Sequence, residues 1–93
     1  MVPQRFFRFC IPGYNWCGPG CSGPGAPVNK VDAACKQHDM CYRRHKNRCE
    51  CDQMFLNRLR PLINSRTQEG RHAQTMYNYM KLQTSITCNR YRK

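Results

Sequence analysis

The pattern of hydrophobic, polar and helix-breaking residues divides the chain into an irregular first part and a helical remainder. Five of the six glycines and four of the six prolines lie within residues 12–27, whereas residues 28–60 contain neither. A segment so rich in both residue types forms a rigid, irregular loop. No segment alternates strongly between hydrophobic and polar residues, so strands should be few and short. The pattern therefore predicts a mainly α-helical domain with a structured loop before its helices.

The first helix is predicted over residues 30–46. Asn29 is a favourable N-cap, and Asp32, three residues later, forms a variant of the capping box with Asp in place of Glu. Residues spaced i, i+3, i+4 and i+7 share one face of a helix. In this helix that face carries Cys35, His38, Asp39 and Tyr42.

Two further helices are predicted beyond the first. The second runs from about residue 50 to residue 60, where Pro61 ends or kinks it. Only the six residues "RRHKNR" separate the first two helices, and so short a connection makes them antiparallel neighbours. A third, weaker helix is predicted over residues 72–82, after Gly70.

Length and cysteine content limit the architecture. The 93 residues suffice for a single domain, with a core too small to be stable by burial alone. The eight cysteines predict up to four disulfides and therefore a secreted protein or another oxidising location. The first sixteen residues lack an apolar stretch long enough for a signal peptide, so we expect a removed leader or another export route.

Charge narrows the choice of partner. Sixteen Lys and Arg residues against five Asp and Glu residues give a net charge of +11, which favours polyanions: an anionic membrane, nucleic acid or acidic polysaccharide. No run approaches the ~20 apolar residues of a membrane span. An apolar cluster beside the loop either packs in the core or forms a lip that contacts membrane: Phe6, Phe7, Phe9, Ile11 and Trp16.

Two motifs suggest other chemistry and are set aside. Residues 18–23 read G-x-G-x-x-G, but no predicted strand precedes them, as a dinucleotide site requires. A zinc site is disfavoured because there is no C-x2-C pair, and ligating thiolates would leave other cysteines unpaired. Its candidate ligands are His38, Cys41, His45, Cys49 and Cys51.

A histidine–aspartate pair is the stronger candidate. A disulfide between the first two helices would bring Asp52 against His38. A carboxylate on one ring nitrogen fixes the tautomer and leaves the other nitrogen free to accept a proton. Asp39, about 100° further around the helix, can face the glycine-rich loop. Glycines there can turn carbonyls inward, and converging carbonyls with a carboxylate are what Ca²⁺ requires.

These segments together resemble the secreted-type phospholipase A2 family. "WCGPG" resembles its calcium loop, "DAACKQHDMCY" its catalytic helix with Ala34 in place of one cysteine, and "CECD" the start of its second long helix. The resemblance covers roughly residues 13–60, and its ordered motifs make it specific. The short connection between the helices is closest to compact viral and microbial members.

The resemblance implies a function and a set of site residues. It implies Ca²⁺-dependent hydrolysis of the sn-2 ester of phospholipids at a membrane interface, giving lysophospholipid and fatty acid. His38 is the expected general base and Asp52 its orienting partner, with Tyr42 hydrogen-bonding near Asp52. The Gly18 amide is expected to stabilise the oxyanion. The implied Ca²⁺ ligands are the Asp39 carboxylate and the carbonyls of Trp16, Gly18 and Gly20.

The resemblance also implies two disulfides, Cys17–Cys35 and Cys41–Cys51. The remaining four cysteines allow three pairings, of which we predict Cys10–Cys21 with Cys49–Cys88. One departure concerns the aspartate: a second tyrosine that larger members direct at it has no evident match here.

Two alternatives compete with a phospholipase. One is a catalytically weak or silent family member that disrupts membranes through its cationic surface. The other is a cationic nucleic-acid-binding or antimicrobial module, which would not need His38, Asp39 and Asp52 in register. Because the chain keeps Asp39 and the calcium-loop motif, we expect an enzyme. We also expect a monomer that acts on an anionic phospholipid surface, with no nucleic-acid partner.

Overall fold

The computed structural model of the protein describes residues 9–44 and 47–91. Three α-helices follow the loop: α1 (Lys30–Arg44), α2 (Arg48–Leu59) and α3 (Gln68–Tyr91), with a short 3-10 helix (Arg60–Leu62) after α2. The one β pairing within the described ranges is an isolated bridge between Phe9 and Gly20. The predicted mainly helical fold with few strands is confirmed.

Local sequence explains where α1 begins, with one correction to the predicted cap. The Asn29 side chain accepts a hydrogen bond from the Asp32 amide at 2.9 Å, as expected of an N-cap. The Asp32 carboxylate, however, accepts from the amide of Val28 at 3.1 Å and does not complete a capping box on Asn29. The helix ends at Arg44, and the last two residues of its predicted span lie outside the described residues.

The second helix begins two residues earlier than predicted. The Asn47 side chain accepts from the Glu50 amide at 3.1 Å and so caps α2 at Arg48. Pro61 lies inside the 3-10 helix that ends this segment. A disulfide joins Cys41, near the end of α1, to Cys51, near the start of α2. The two helices are therefore antiparallel neighbours, as predicted.

The prediction for the third helix was wrong in extent. The helix has 24 residues and continues nine residues past Leu82. It starts earlier because the Thr67 hydroxyl accepts from the Gly70 amide at 3.0 Å and caps the first turn. Gly70 thus lies inside the helix, where a Cβ would come within 2.6 Å of the Asn64 backbone nitrogen.

The core lies between the loop and all three helices. Its largest fully buried apolar side chains are Phe55 and Leu59 of α2, Met80 of α3 and Val31 of α1. Trp16, from the loop, joins the same cluster.

The described apolar residues beside the loop differ in their exposure. Trp16 is buried, Ile11 is partly buried against the core, and Phe9 is 49% exposed. Phe6 and Phe7 lie outside the described residues. Core packing therefore accounts for Trp16, and a membrane role stays a prediction for the other residues of the cluster. In the described part of the chain no helix is long and apolar enough to cross a bilayer.

All eight cysteines are paired. The two disulfides implied by the family resemblance are present, and so are the two predicted for the remaining cysteines: Cys17–Cys35, Cys41–Cys51, Cys10–Cys21 and Cys49–Cys88. Three of the candidate zinc ligands are thus unavailable as thiolates. A fourth, His45, lies outside the described residues.

Candidate active site

A buried histidine–carboxylate pair lies at the junction of α1 and α2. His38 Nε2 is 2.7 Å from Asp52 Oδ1, and both side chains are fully inaccessible to solvent. The antiparallel pairing of the helices and the Cys41–Cys51 disulfide bring the two residues together. This is the arrangement that the sequence predicted. The catalytic roles assigned to the two residues stay predictions.

The second nitrogen of the His38 ring is available to act as a base. Its Nδ1 is buried and has no hydrogen-bond partner among the described residues. Because a carboxylate can only accept, Asp52 stabilises the tautomer with its proton on Nε2 and leaves a lone pair on Nδ1. The ring stacks on Phe55, with centroids 4.5 Å apart. Burial lowers the pKa of His38 below 6.5 although the hydrogen bond to Asp52 opposes it.

Asp52 accepts two further hydrogen bonds. The Tyr42 hydroxyl donates to Oδ1 at 2.6 Å, and the Thr87 hydroxyl donates to Oδ2 at 2.8 Å. Burial, and after it the bond to Asp52, raises the pKa of Tyr42, so this hydroxyl keeps its proton. Gln83 donates in turn to the Tyr42 oxygen at 3.1 Å. The predicted third helix stopped short of Thr87 and Gln83, so the sequence did not indicate either residue.

Asp32 organises the loop from the first turn of α1. Its fully buried carboxylate accepts the amides of Trp16 at 2.8 Å, and of Asn15 and Cys17 at 3.1 Å each, in addition to that of Val28. One side chain therefore holds three successive loop amides. Sequence analysis assigned Asp32 only a capping role. Its position within the catalytic-helix motif was the one available signal.

The glycines of this loop adopt conformations that other residues rarely adopt. Gly18 and Gly20 have φ angles of 131° and 75°. A Cβ on Gly18 would also collide with the carbonyl oxygen of Phe9. The Gly18 carbonyl accepts the Cys21 amide at 2.9 Å, which leaves a second lone pair on that oxygen. The loop thus brings backbone close to backbone. The convergence of its carbonyls on a metal ion stays a prediction.

Asp39 is the carboxylate nearest in sequence to His38 and is fully buried. Burial raises its pKa to about 6. A carboxylate with several carbonyl oxygens is a hard donor set that suits Ca²⁺. Within the described ranges no three His, Cys, Asp or Glu side chains are placed to hold a metal ion together. The predicted Ca²⁺ site differs from such a cluster, because one side chain, Asp39, supplies a carboxylate and the other ligands are backbone carbonyls. Those carbonyls belong to Trp16, Gly18 and Gly20.

Known proteins resemble this chain over most of its length. The model of a family described as phospholipase A2-like domain matches residues 8–89. A phospholipase A2 from Oryctolagus cuniculus is 33% identical over 78 residues, which cover 83% of this chain and 43% of that protein. Basic phospholipase A2 nigroxin A from Micrurus nigrocinctus is 30% identical over 73 residues, covering 78% of this chain and 44% of that protein.

Shorter similarities extend to viral proteins. The capsid protein VP1 of Diatraea saccharalis densovirus is 40% identical over 52 residues, which cover 52% of this chain and 6% of VP1. No solved structure matches the chain significantly. The chain spans less than half the length of the phospholipases A2 it matches. From the family match over residues 8–89, the chain belongs to the phospholipase A2-like domain family, as a compact member of viral and microbial type.

Proposed function

We propose that the protein hydrolyses the sn-2 ester of phospholipids at a membrane interface in a Ca²⁺-dependent reaction. The products are a lysophospholipid and a fatty acid. The observation that supports this proposal most directly is the buried His38–Asp52 pair with an unpartnered Nδ1. The family membership and the names of the related phospholipases A2 support the same reaction.

In the proposed mechanism His38 acts as the general base. Its Nδ1 takes a proton from a water molecule as the water oxygen attacks the ester carbonyl carbon. The resulting imidazolium is stabilised by the Asp52 carboxylate, 2.7 Å from Nε2. The imidazolium then returns the proton to the departing glycerol oxygen as the bond from that oxygen to the acyl carbon breaks. No covalent enzyme intermediate forms.

Asp39 and the carbonyls of Trp16, Gly18 and Gly20 are the residues we propose to hold Ca²⁺. When bound, Ca²⁺ would polarise the ester carbonyl and offset the negative charge that develops on its oxygen. The Gly18 amide is proposed as a second donor to that oxygen, and removal of one such donor costs about 3–4 kcal/mol in other hydrolases. Asp32 holds the amides of the same loop and so preserves its shape.

The proposed partner is an anionic phospholipid surface. Sixteen Lys and Arg residues outnumber five Asp and Glu residues, and the carboxylates of Asp32, Asp39 and Asp52 are fully buried, so Glu50 and Glu69 are the only acidic side chains left for the surface. Each cation near an anionic bilayer contributes about 1 kcal/mol to adsorption. We further propose that the protein works as a monomer without a nucleic-acid partner. Its four disulfides favour secretion or another oxidising location.

The proposal is tested by fatty-acid release from vesicles that contain anionic phospholipid. Release should require Ca²⁺, stop with EGTA and be lost in His38→Gln, which keeps polar bulk but removes the base. His72→Gln is the matched control, because His72 bonds Tyr14 and lies outside this site. Hydrolysis that persists in EGTA would contradict the Ca²⁺ requirement, and hydrolysis that persists in His38→Gln would contradict the assigned base.

The unbalanced cationic surface also favours a second candidate, a catalytically weak or silent protein that disrupts membranes. Dye leakage from the same vesicles distinguishes the two. Leakage that continues in His38→Gln and in EGTA, without fatty-acid release by the unmodified protein, would support disruption by charge alone.

A further inference from the structure

We propose that Thr87, on α3, is a positioning residue that orients Asp52 toward His38. This inference rests on the proposed function, in which His38 is the general base. It assigns α3 a direct part in the catalytic apparatus, although α3 carries none of the motif residues. Thr87 also donates a hydrogen bond to Asp52, as a second tyrosine does in larger family members; this sequence has no evident match for that tyrosine.

The Asp52 carboxylate accepts three hydrogen bonds, which are divided unequally between its two oxygens. This carboxylate is fully buried, so solvent water does not donate hydrogen bonds to its oxygens. Oδ1 accepts from both His38 and Tyr42, whereas Oδ2 accepts from Thr87 alone within the described residues. A buried carboxylate oxygen without a donor is strongly unfavourable. Thr87 is therefore the one described residue that donates a hydrogen bond to Oδ2 of Asp52.

The hydroxyl of Thr87 has two acceptors within reach and a single proton. Asp52 Oδ2 lies at 2.8 Å and the carbonyl of Thr84 at 3.3 Å. The carboxylate is both closer and charged, and hydrogen bonds to charged acceptors are shorter and stronger than those to neutral carbonyls. The proton is thus directed to Asp52.

The position of Thr87 along α3 is secured by its neighbour. Cys88 forms a disulfide with Cys49, which precedes Asp52 by three residues and so lies about one turn away on α2. The covalent bond and the Thr87–Asp52 hydrogen bond therefore join the same turns of α2 and α3. Gln83, one turn before Thr87, reinforces the arrangement by donating to the Tyr42 hydroxyl.

Three donors on two oxygens restrict rotation of the carboxylate. If Thr87 did not hold Oδ2, the Asp52 carboxylate could rotate about its Cβ–Cγ bond, and Oδ1 would leave the 2.7 Å contact with His38 Nε2. The His38 ring would then lose the contact that fixes its tautomer. Removal of the hydroxyl should therefore weaken catalysis without altering the proposed metal ligands, which lie on α1 and in the loop.

The kinetic test compares Thr87→Val, Thr87→Ser and Thr84→Val. Valine has the shape of threonine without its hydroxyl, and serine keeps the hydroxyl. Thr84 is the matched control, since its hydroxyl is also buried on α3 but has no hydrogen-bond partner in the described part of the chain. We expect kcat to fall roughly 10- to 100-fold in Thr87→Val. The vesicle KM and the Ca²⁺ concentration for half-maximal activity should stay unchanged, and Thr87→Ser and Thr84→Val should retain near wild-type kcat.

A second readout does not depend on activity. In protein with ¹⁵N-labelled histidine, the Nε2 proton of His38 should give a downfield NMR signal that exchanges slowly with solvent. We expect this exchange to accelerate in Thr87→Val and to stay slow in Thr87→Ser and Thr84→Val. If the wild-type protein hydrolyses no phospholipid, the proposed function fails, but the exchange rates still test the positioning.

Specific outcomes would overturn the assignment. Wild-type exchange in Thr87→Val would show that the hydroxyl does not hold Asp52. An equal loss of kcat or of exchange protection in Thr84→Val would show that the effect belongs to α3 packing in general. A folded Thr87→Ser that behaves like Thr87→Val would also rule out the hydroxyl as the active group.

Discussion

Replacement of Asp32 by asparagine should destabilise the protein, because this side chain in the first turn of α1 holds the loop in place. The carboxylate accepts two amides on each oxygen: those of Trp16 and Cys17 on Oδ1, and those of Asn15 and Val28 on Oδ2. An asparagine side chain has one oxygen. In either orientation its NH₂ group faces two backbone N–H groups, which then have no acceptor.

The cost follows from these two lost acceptors. A donor left without a partner away from solvent costs about 1–3 kcal/mol. The asparagine oxygen can face the buried amides of Trp16 and Cys17, so the amides that lose their acceptor are the part-buried pair of Asn15 and Val28. The loss should therefore lie toward the lower end of about 2–6 kcal/mol, still a large share of the roughly 5–15 kcal/mol that stabilises a typical domain. The four disulfides should keep the variant folded in native buffer while its free energy of unfolding falls.

Urea denaturation with the disulfides intact measures this loss. Trp16 is the one tryptophan of the chain, is buried, and donates its own amide to Asp32, so its fluorescence reports on the loop. Far-UV circular dichroism reports on the helices. Glu50→Gln is the matched control: it removes the same charge at an exposed position and should cost at most about 1 kcal/mol. A loss below 1 kcal/mol in Asp32→Asn, or one equal to that of the control, would refute the reasoning.

Two further predictions concern pH and the disulfide beside the site. Burial lowers the pKa of His38 below 6.5, and the neutral ring is the proposed base. In a pH–rate profile with saturating Ca²⁺, kcat/KM should therefore stay above half its plateau at pH 6.5 and fall only at lower pH. A midpoint at or above pH 6.5 would contradict this prediction. Replacement of both Cys49 and Cys88 by serine opens a link across 39 residues, and the chain-entropy relation gives a loss of about 4 kcal/mol in urea denaturation. An unchanged midpoint would show that α3 holds its place without the disulfide.

Much of the fold and half of the site could be predicted because they depend on short-range patterns. Glycine and proline placement marked the loop, and the helix period put His38 on the same face as Cys35 and Tyr42. The six-residue connection then made the next helix an antiparallel partner, which is why Asp52 could be matched to His38 from sequence. Two of the disulfides, Cys17–Cys35 and Cys41–Cys51, are those that the family resemblance implies, and the other two are the pairing predicted among three for the remaining four cysteines.

Tertiary structure alone decided the other half of the site. The carboxylate of Asp32 does not act as the local cap that the sequence predicts, because it accepts hydrogen bonds from four amides. Three of these amides are 15 to 17 residues away in sequence. The last turns of α3 lack a strong helical signal and are held by the Cys49–Cys88 disulfide and by contacts with α2. Thr87 meets Asp52 across 35 residues of sequence. The sequence does not indicate which acceptor a threonine hydroxyl will bond, because tertiary packing determines which buried acceptor lies within reach.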